Sequence, residues 1–449
     1  MAAIWFDTAW VAGVWQTSVR IEIENGVIAG ITAGVAAAPG DERHAVGVPG
    51  LCSVHSHAFQ RGMAGLTERG GPGDDDFWTW RQLMYSFLDR IDPDDAEAIA
   101  ARAYADMLET GFTRVGEFHY LHHAQDGSAY ADPAEMIGRI AAAGRESGIG
   151  LTLLPVFYAH SGFGGAQGTA AQRRFLSDLD GFARLVEGAR RHADGDTNVG
   201  VAPHSLRAVT PDELAALPAL AAGGPVHIHI AEQMREVADC IAWSGARPVE
   251  WLLANAPVDR RWCLVHATQM TDAETDALAA SGAVAGLCPI TEANLGDGIF
   301  PAVRYLAAGG AFGIGTDSNV LIDAAEELRL LEYSQRLAHR ARGLIASAAR
   351  PSVGATLFAG ALSGGAQALG VAGGIVPGAS ADIVSLDAGH DALAGRSGDA
   401  LFDGWIFAAR TGAVDCVWRR GRKVVSGGRH VAADAISAAY RRTMKKLLA

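Results

Sequence analysis

Eight short apolar runs recur between residues 48 and 316: 48–54, 113–118, 149–157, 198–203, 225–231, 262–266, 283–288 and 311–316. Runs this short, apolar throughout rather than at alternate positions, suit strands buried on both faces of a parallel sheet. Helical stretches separate many of them, for example 94–110, 133–147, 170–192, 211–222 and 272–281. Parallel strands need crossover connections, which helices supply. Eight such units predict an α/β chain folded as a (β/α)8 barrel of the TIM type. An open doubly wound sheet is the rival architecture, but no G-x-G-x-x-G follows the first strand.

The ends of the chain read differently. Residues 1–48 show the short strands Ala9-Trp10-Val11, 18–23 and 27–31, with Asn25-Gly26 as a hairpin turn. After a helical region near 351–369, strand character returns at 374–386 and 414–425. The two ends are expected to pair into a small discontinuous β-sandwich beside the barrel. Its first part is 1–48, the barrel is 49–370, and its second part, with a C-terminal helix, is 371–449. A chain of 449 residues with 49% hydrophobic and 19% charged content has ample material for such a core. The Gly/Asp-rich stretch 70–76, followed by Phe77-Trp78-Thr79-Trp80-Arg81, reads as a loop over the end of the first strand, and 70–81 as a candidate lid.

A formal charge of −13 argues against nucleic acid or an anionic membrane as partner. No basic segment precedes an apolar one at the N-terminus and no unbroken apolar run reaches spanning length, so a cytoplasmic protein is expected. Cys52, Cys240, Cys263, Cys288 and Cys416 are odd in number and scattered. They suggest neither a disulfide framework nor a thiolate zinc site; Cys52, Cys263 and Cys288 read as small buried hydrophobes.

Chemistry gathers at the ends of the apolar runs. His55 and His57 stand at i, i+2, so a strand sends both side chains to one face. His229 closes the fifth run, His266 the sixth and Asp317 the eighth. In a β/α barrel these ends meet at one mouth, where active sites lie. The set His55, His57, His229 and Asp317 suits a hydrolytic Zn²⁺ that keeps a position for water. A binuclear site of this kind commonly bridges its metals with a carbamylated lysine at the fourth strand. The only lysines are Lys423, Lys445 and Lys446, and the fourth run ends in His204, so one ion is expected. Glu232, three residues after His229, is a candidate proton shuttle. Asp317 is a candidate acceptor of the water proton, and His266 could orient that water and stabilise developing charge. His227, deeper in its strand, reads as a hydrogen-bonded structural group.

Other residues at the predicted mouth indicate the substrate. Gln60 and Arg81 follow the first strand, Tyr120 the second, and His204 and Arg207 the fourth. Two guanidinium groups beside a metal in an acidic chain point to carboxylates, which arginine binds in bidentate fashion. The set suggests a small dicarboxylate-like molecule with a hydrolysable C–N bond.

The ladder of ligands resembles the amidohydrolase superfamily, in its mononuclear aminohydrolase branch. The likeness runs over almost the whole chain, including Gly374-Ile375-Val376-Pro377-Gly378-Ala379-Ser380-Ala381-Asp382-Ile383-Val384, which in those enzymes belongs to the flanking β-sandwich. Four segments are similar to those of the formimidoylglutamate deiminase family. They are His55-Ser56-His57-Ala58-Phe59-Gln60-Arg61-Gly62, the stretch 116–123, His227-Ile228-His229-Ile230-Ala231-Glu232-Gln233, and the stretch 288–298 with Asn294-Leu295-Gly296-Asp297-Gly298. The resemblance implies hydrolysis of N-formimidoyl-L-glutamate to N-formyl-L-glutamate and ammonia in histidine degradation, with one Zn²⁺ on His55, His57, His229 and Asp317. It places the glutamate part on Gln60, Arg81, Tyr120, His204 and Arg207. His266 and Asp317 would assist deprotonation of water and Glu232 would deliver a proton to nitrogen. A homodimer is common in that family. The alternative is a deaminase of an aromatic heterocycle such as guanine, for which Trp78 and Trp80 could stack. A barrel that only binds would have lost ligands, and none is missing.

Overall fold

The computed structural model describes residues 2–68 and 77–449, so the loop read at 70–76 lies outside the described residues. Strands β1 (Ala2–Val11) and β2 (Val14–Glu24) form an antiparallel hairpin about Ala12-Gly13. Asn25-Gly26, with φ of 53° and 84°, turns β2 into β3 (Val27–Thr32), the double positive φ that Asn-Gly accommodates. Strand β4 (Glu42–Pro49) then lies parallel to β1.

At Gly50 the chain passes from this sheet into the barrel. Its N–H donates to Asp382 O and that of Leu51 to Gly111 O, each at 3.0 Å. An added Cβ at Gly50 would lie 2.2 Å from Thr113 Cγ2, so only glycine fits the crossing. The run 48–54 is therefore divided between two sheets, because the apolar stretch is buried in both and nothing in its hydropathy marks the step. Its second half is β5 (Leu51–Ser56), the first barrel strand.

The barrel continues with β6 (Phe112–His119), β7 (Gly150–Phe157), β8 (Asn198–Val199), β9 (Ala202–Pro203), β10 (Val226–Ile230), β11 (Trp262–His266), β12 (Val284–Leu287) and β13 (Ala311–Ile314). All pair in parallel, in the order β10-β11-β12-β13-β5-β6-β7-β8, with β9 on β7. The fourth position is the split pair β8 and β9, interrupted at Gly200-Val201. The ring closes there through N–H···O bonds from His227 to Val201 and from His229 to His204, both 3.1 Å.

Helix starts are set by caps. Asp92 and Asp95 satisfy each other's backbone N–H at the head of helix Pro93–Glu109, and Thr271 with Glu274 does so for helix Asp272–Ser281. The stretch 170–192 proves to be a 3₁₀ turn, Ala170–Gln172, and a separate helix, Leu179–His192, because Asp178 caps a new start by accepting the Gly181 N–H. Residues 77–81, read as loop, are the head of helix Phe77–Leu88. The Gly/Asp tract ends at Asp76, and Trp80, Met84 and Phe87 follow at helical spacing.

Beyond helix Val353–Leu369 come β14 (Ile383–Leu386), β15 (Val414–Arg419), β16 (Arg422–Ser426), β17 (Arg429–His430) and helix Ala433–Leu447. These strands join the N-terminal ones in a single sheet, β17-β16-β15-β14-β4-β1-β2-β3. Strands β16 and β2 stand five steps apart on that path, about 24 Å in a flat sheet. Yet a Cβ at Gly421, in the β15–β16 turn, would lie 2.6 Å from Ile23 Cγ2. The sandwich built by the two chain ends is thus one sheet rolled over a core of Phe6, Ile21, Ile23, Ile383 and Trp418.

Among the described residues no helix is long and apolar enough to cross a membrane, and all five cysteines are buried and free. Helix Val353–Leu369 packs so closely on β13 that a Cβ at Gly364 would lie 1.9 Å from Phe312 O. Gly364→Ala is expected to cost about 3 kcal/mol by overpacking. The check is a lower denaturant midpoint with an unchanged slope; an unaltered midpoint would show that the helix shifts freely.

Candidate active site

The mouth of the barrel is assembled where the first and last strands meet. His55 O accepts the N–H groups of Thr316 and Asp317, both at 3.0 Å, and Asp317 O accepts that of His57 at 2.9 Å. Asn319 ties the junction: its Nδ2 lies 3.1 Å from Ser56 Oγ and His57 O, and 3.0 Å from Asp317 O. Five non-glycine residues at these strand ends adopt positive φ: Ala231 (48°), His266 (68°), Ala267 (50°), Asp317 (42°) and Asn319 (55°). Each costs of order 1 kcal/mol or more, and such conformations collect at functional sites.

This backbone brings His55, His57, His229 and Asp317 together, all buried. His55 Nε2 lies 3.2 Å from His57 Nε2, 3.0 Å from His229 Nε2 and 3.3 Å from Asp317 Oδ1, which is also 3.3 Å from His57 Nε2. A tetrahedral ion with ligands at about 2.0–2.1 Å would space them about 3.3 Å apart, so the donor set fits a Zn²⁺-sized ion. Chemistry agrees with geometry. His57 Nδ1 is spent on Phe118 O at 2.9 Å, leaving Nε2 as the free lone pair. Burial pushes His55 down to about 3, and burial with the neighbouring imidazoles pushes His229 well below its ordinary value, so both stay neutral, the ligating form. Burial opposes ionisation of Asp317, but the hydrogen bond of His55, with the neighbouring rings of His266 and His57, outweighs it and holds the carboxylate ionised.

Asp317 divides its oxygens. Oδ1 faces the imidazole cluster, while Oδ2 lies 3.9 Å from His266 Nε2. Glu232 Oε1 is 3.8 Å from the same nitrogen. These gaps are too long for direct hydrogen bonds and suit an oxygen atom between them. Burial lifts the Glu232 carboxyl to about 7, so both its protonation states are accessible near neutrality. Burial lowers His266, but Glu232, Glu292 and Asp317 outweigh it and raise it well above the ordinary range.

One cavity is lined by His57, His229, Asp317, Glu232 and His266 and also by Gln60, Arg81, Tyr120, His204 and Arg207. Of the four cluster residues, His55 is not part of the lining. Gln60 Nε2 donates to Tyr120 Oη at 2.9 Å, and Arg81 Nη2 to Tyr158 Oη at 2.7 Å. Trp80, Met84 and Leu295 complete the lining. His227 is a structural group, bonded through Nε2 to Ala368 O at 2.8 Å. Three contributors escaped the sequence reading. Glu236 accepts the N–H groups of Ala231 and Glu232 and so seats the Glu232 turn. Asn319 and Glu292 act on residues far from them in sequence; the one available signal was Asn319 two places after Asp317, since Asn tolerates the left-handed region.

The chain matches the Amidohydrolase family model over residues 46–424 and the model of the "Formimidoylglutamate deiminase HutF, N-terminal domain" over residues 1–45. It is 48% identical to the formimidoylglutamate deiminase of Pseudomonas aeruginosa over 100% of both chains. It is 30% identical to a 5-methylthioadenosine/S-adenosylhomocysteine deaminase of Natronomonas pharaonis, covering 76% of this chain and 74% of that one. A crystal structure of an amidohydrolase from Brucella melitensis superimposes with a TM-score of 0.97 at 56% identity, over 100% of both chains.

Asn319→Ala would strip one donor from each of three buried acceptors and place alanine at φ 55°. The expected cost is about 2–4 kcal/mol of stability, together with weaker metal retention on dialysis. Unfolding curves and metal counting on the same sample check it, and full metal retention would separate Asn319 from the cluster.

Proposed function

The chain belongs to the amidohydrolase family, and on that premise we infer that its cavity hydrolyses the amidine C–N bond of N-formimidoyl-L-glutamate, giving N-formyl-L-glutamate and ammonia. The observation that carries this reading is one cavity lined both by the His/Asp cluster and by Arg81 and Arg207. The substrate is a dicarboxylate at one end and a cationic amidine at the other. Guanidinium groups match the first; Glu232 and the ionised Asp317 match the second. Gln60, Tyr120 and His204 supply hydrogen-bonding edges around the glutamate part.

His55, His57, His229 and Asp317 would hold one Zn²⁺, which when bound supplies Lewis-acid polarisation and lowers the pKa of water to about 7. The chain's own groups manage the protons. Glu232 Oε1 and Asp317 Oδ2 lie 3.8 and 3.9 Å from His266 Nε2, so a water oxygen held there by His266 can lose a proton to Asp317 as it attacks the formimidoyl carbon. Glu232, poised near neutrality by burial, delivers a proton to the amidine nitrogen. As the C–N bond breaks, the hydroxyl proton of the adduct passes to the now ionised Glu232, the proton held on Asp317 leaves with ammonia as ammonium, and the carbon keeps the water oxygen as a formyl group. Cavity walls of Trp80, Met84 and Leu295 limit bulk water around the reacting carbon. A homodimer and a cytoplasmic location belong to this same reading.

Steady-state release of ammonia from N-formimidoyl-L-glutamate is the direct test. Activity on guanine with none on formimidoylglutamate would favour the heterocycle deaminase, for which Trp80 is the available stacking face. Dipicolinate-treated protein should lose activity and regain it with one Zn²⁺ per chain; recovery that needs two ions would refute the single-metal site. Arg207→Ala should lower kcat/KM about 100-fold or more, mainly through KM, as expected when a buried carboxylate–guanidinium contact is lost. Its metal content should stay at the parental level, and parallel loss of zinc would mark Arg207 as structural.

A further inference from the structure

A second cluster with ligand chemistry lies outside the barrel, in the sheet built by the two chain ends. His44, Asp415 and Cys416 bring an imidazole nitrogen, a carboxylate oxygen and a sulfur within 4.8 Å of one another. Asp415 and Cys416 are neighbours on β15, and neighbours on a regular strand point to opposite faces. Here the strand is bulged: Ser385 pairs with Cys416 and Leu386 with Val414, so Asp415 is the extra residue. A bulge re-aims a side chain, and this one lets Asp415 share a face with Cys416. Ser385 holds both, its Oγ donating to Asp415 Oδ2 at 3.1 Å and accepting the Cys416 N–H at 3.0 Å. His44 reaches the pair from β4, on the far side of β14. Its Nδ1 lies 3.2 Å from Asp415 Oδ2, close to the spacing of about 3.3 Å between two ligands on a tetrahedral ion of zinc size. The other ring nitrogen, Nε2, lies 2.9 Å from Glu42 Oε1. A carboxylate on the second nitrogen is the usual way a metal-binding imidazole is oriented. Cys416 belongs to the core of the sheet at 3% exposure, whereas the Asp415 side chain is 34% exposed, so an ion has a path in from solvent.

We propose that His44 Nδ1, Asp415 and Cys416 form a second metal site, for a divalent ion of the zinc type, which braces β4 to β15 across β14. On binding, the sulfur–hydrogen bond of Cys416 breaks and its proton goes to solvent. The sulfur, Nδ1 and one Asp415 oxygen then hold the ion, with water as the fourth ligand. Lys423 stands nearby, paired with Glu42. With Cys416 as thiolate, the charges of Glu42, Asp415, Cys416 and Lys423 leave two negative charges, which a divalent ion neutralises. Three ligands open to solvent hold an ion less tightly than the four buried ones of the barrel, so the first ion enters the barrel and activity does not wait for the second. A simpler role is available: His44 bridges two carboxylates as an ion pair, and Cys416 is a small core hydrophobe. The two roles separate on metal binding.

The test is titration of Co²⁺ into protein that already holds one Zn²⁺ per chain, with both metals counted in the same sample. The expected result is one bound Co²⁺ per chain with a near-ultraviolet thiolate-to-cobalt charge-transfer band. Cobalt that merely replaced zinc in the barrel would give no such band, because that donor set has no sulfur. Cys416→Ser and His44→Gln should each abolish the band or weaken cobalt binding at least about tenfold, with ammonia release at the parental level. Among the described residues the other sulfur-containing group of this kind is His266, Cys288 and Glu292, so Cys288→Ser serves as the control and should keep the band. A band lost in Cys288→Ser and kept in Cys416→Ser would overturn the proposal. So would a parent protein that binds no second ion or shows no band, a result that needs no variant to fold. None of these readouts uses formimidoylglutamate, so failure of the deiminase assay is a separate outcome.

Discussion

Two amides, of Thr316 and Asp317, converge on the carbonyl of His55, and the site depends on that junction. It is the seam where the last barrel strand meets the first. Because it falls at the ligands themselves, joining the last strand to the first and setting Asp317 opposite His55 and His57 are one event. A strand register shifted by one residue would turn the His-x-His pair away from the mouth. The Asn319 clamp and the run of left-handed residues nearby fix the seam at some cost in backbone energy, offset by the barrel around it.

The interior mixes charges that would be ruinous singly. Burial raises Glu232 while the imidazoles keep Asp317 ionised, so two carboxyl groups within reach of His266 are driven to different protonation behaviour. That divergence is what acid–base work on a C–N bond needs. The barrel achieves it without a single lysine; its buried cations are arginines, whose charge burial does not readily remove.

Much of this was legible in the chain. Strands buried on both faces leave uninterrupted apolar runs, so the eight barrel positions fall close to the runs, and Thr271–Glu274 signals its helix by a reciprocal cap. Ligands were legible because strand ends are the only places in such a fold where polar residues can point inward together. Other features left no local trace. Gly50 divides one apolar run between two sheets, and both halves are equally hydrophobic. Helix Phe77–Leu88 was obscured by the glycine-rich tract before it. Glu292 is 26 residues from His266 and its first-turn position reads as an ordinary cap; only the fold reveals the second partner. Asn319 likewise works through carbonyls that no pattern of side chains can announce.

The rolled sheet has a consequence for the growing polypeptide. Strand β4 pairs with β1 on one side and with β14 on the other, and the Val48–Val384 pairing joins residues from opposite ends of the chain. With synthesis at about 5–20 residues per second, β4 waits about 15–70 s for its second neighbour. For most of that interval the ribosome-bound chain carries an open apolar strand edge next to a barrel whose own last strand, β13, has yet to be made. The polar start of β4, with Glu42, Arg43 and His44, is a charged segment of the kind that discourages edge-to-edge association between nascent chains.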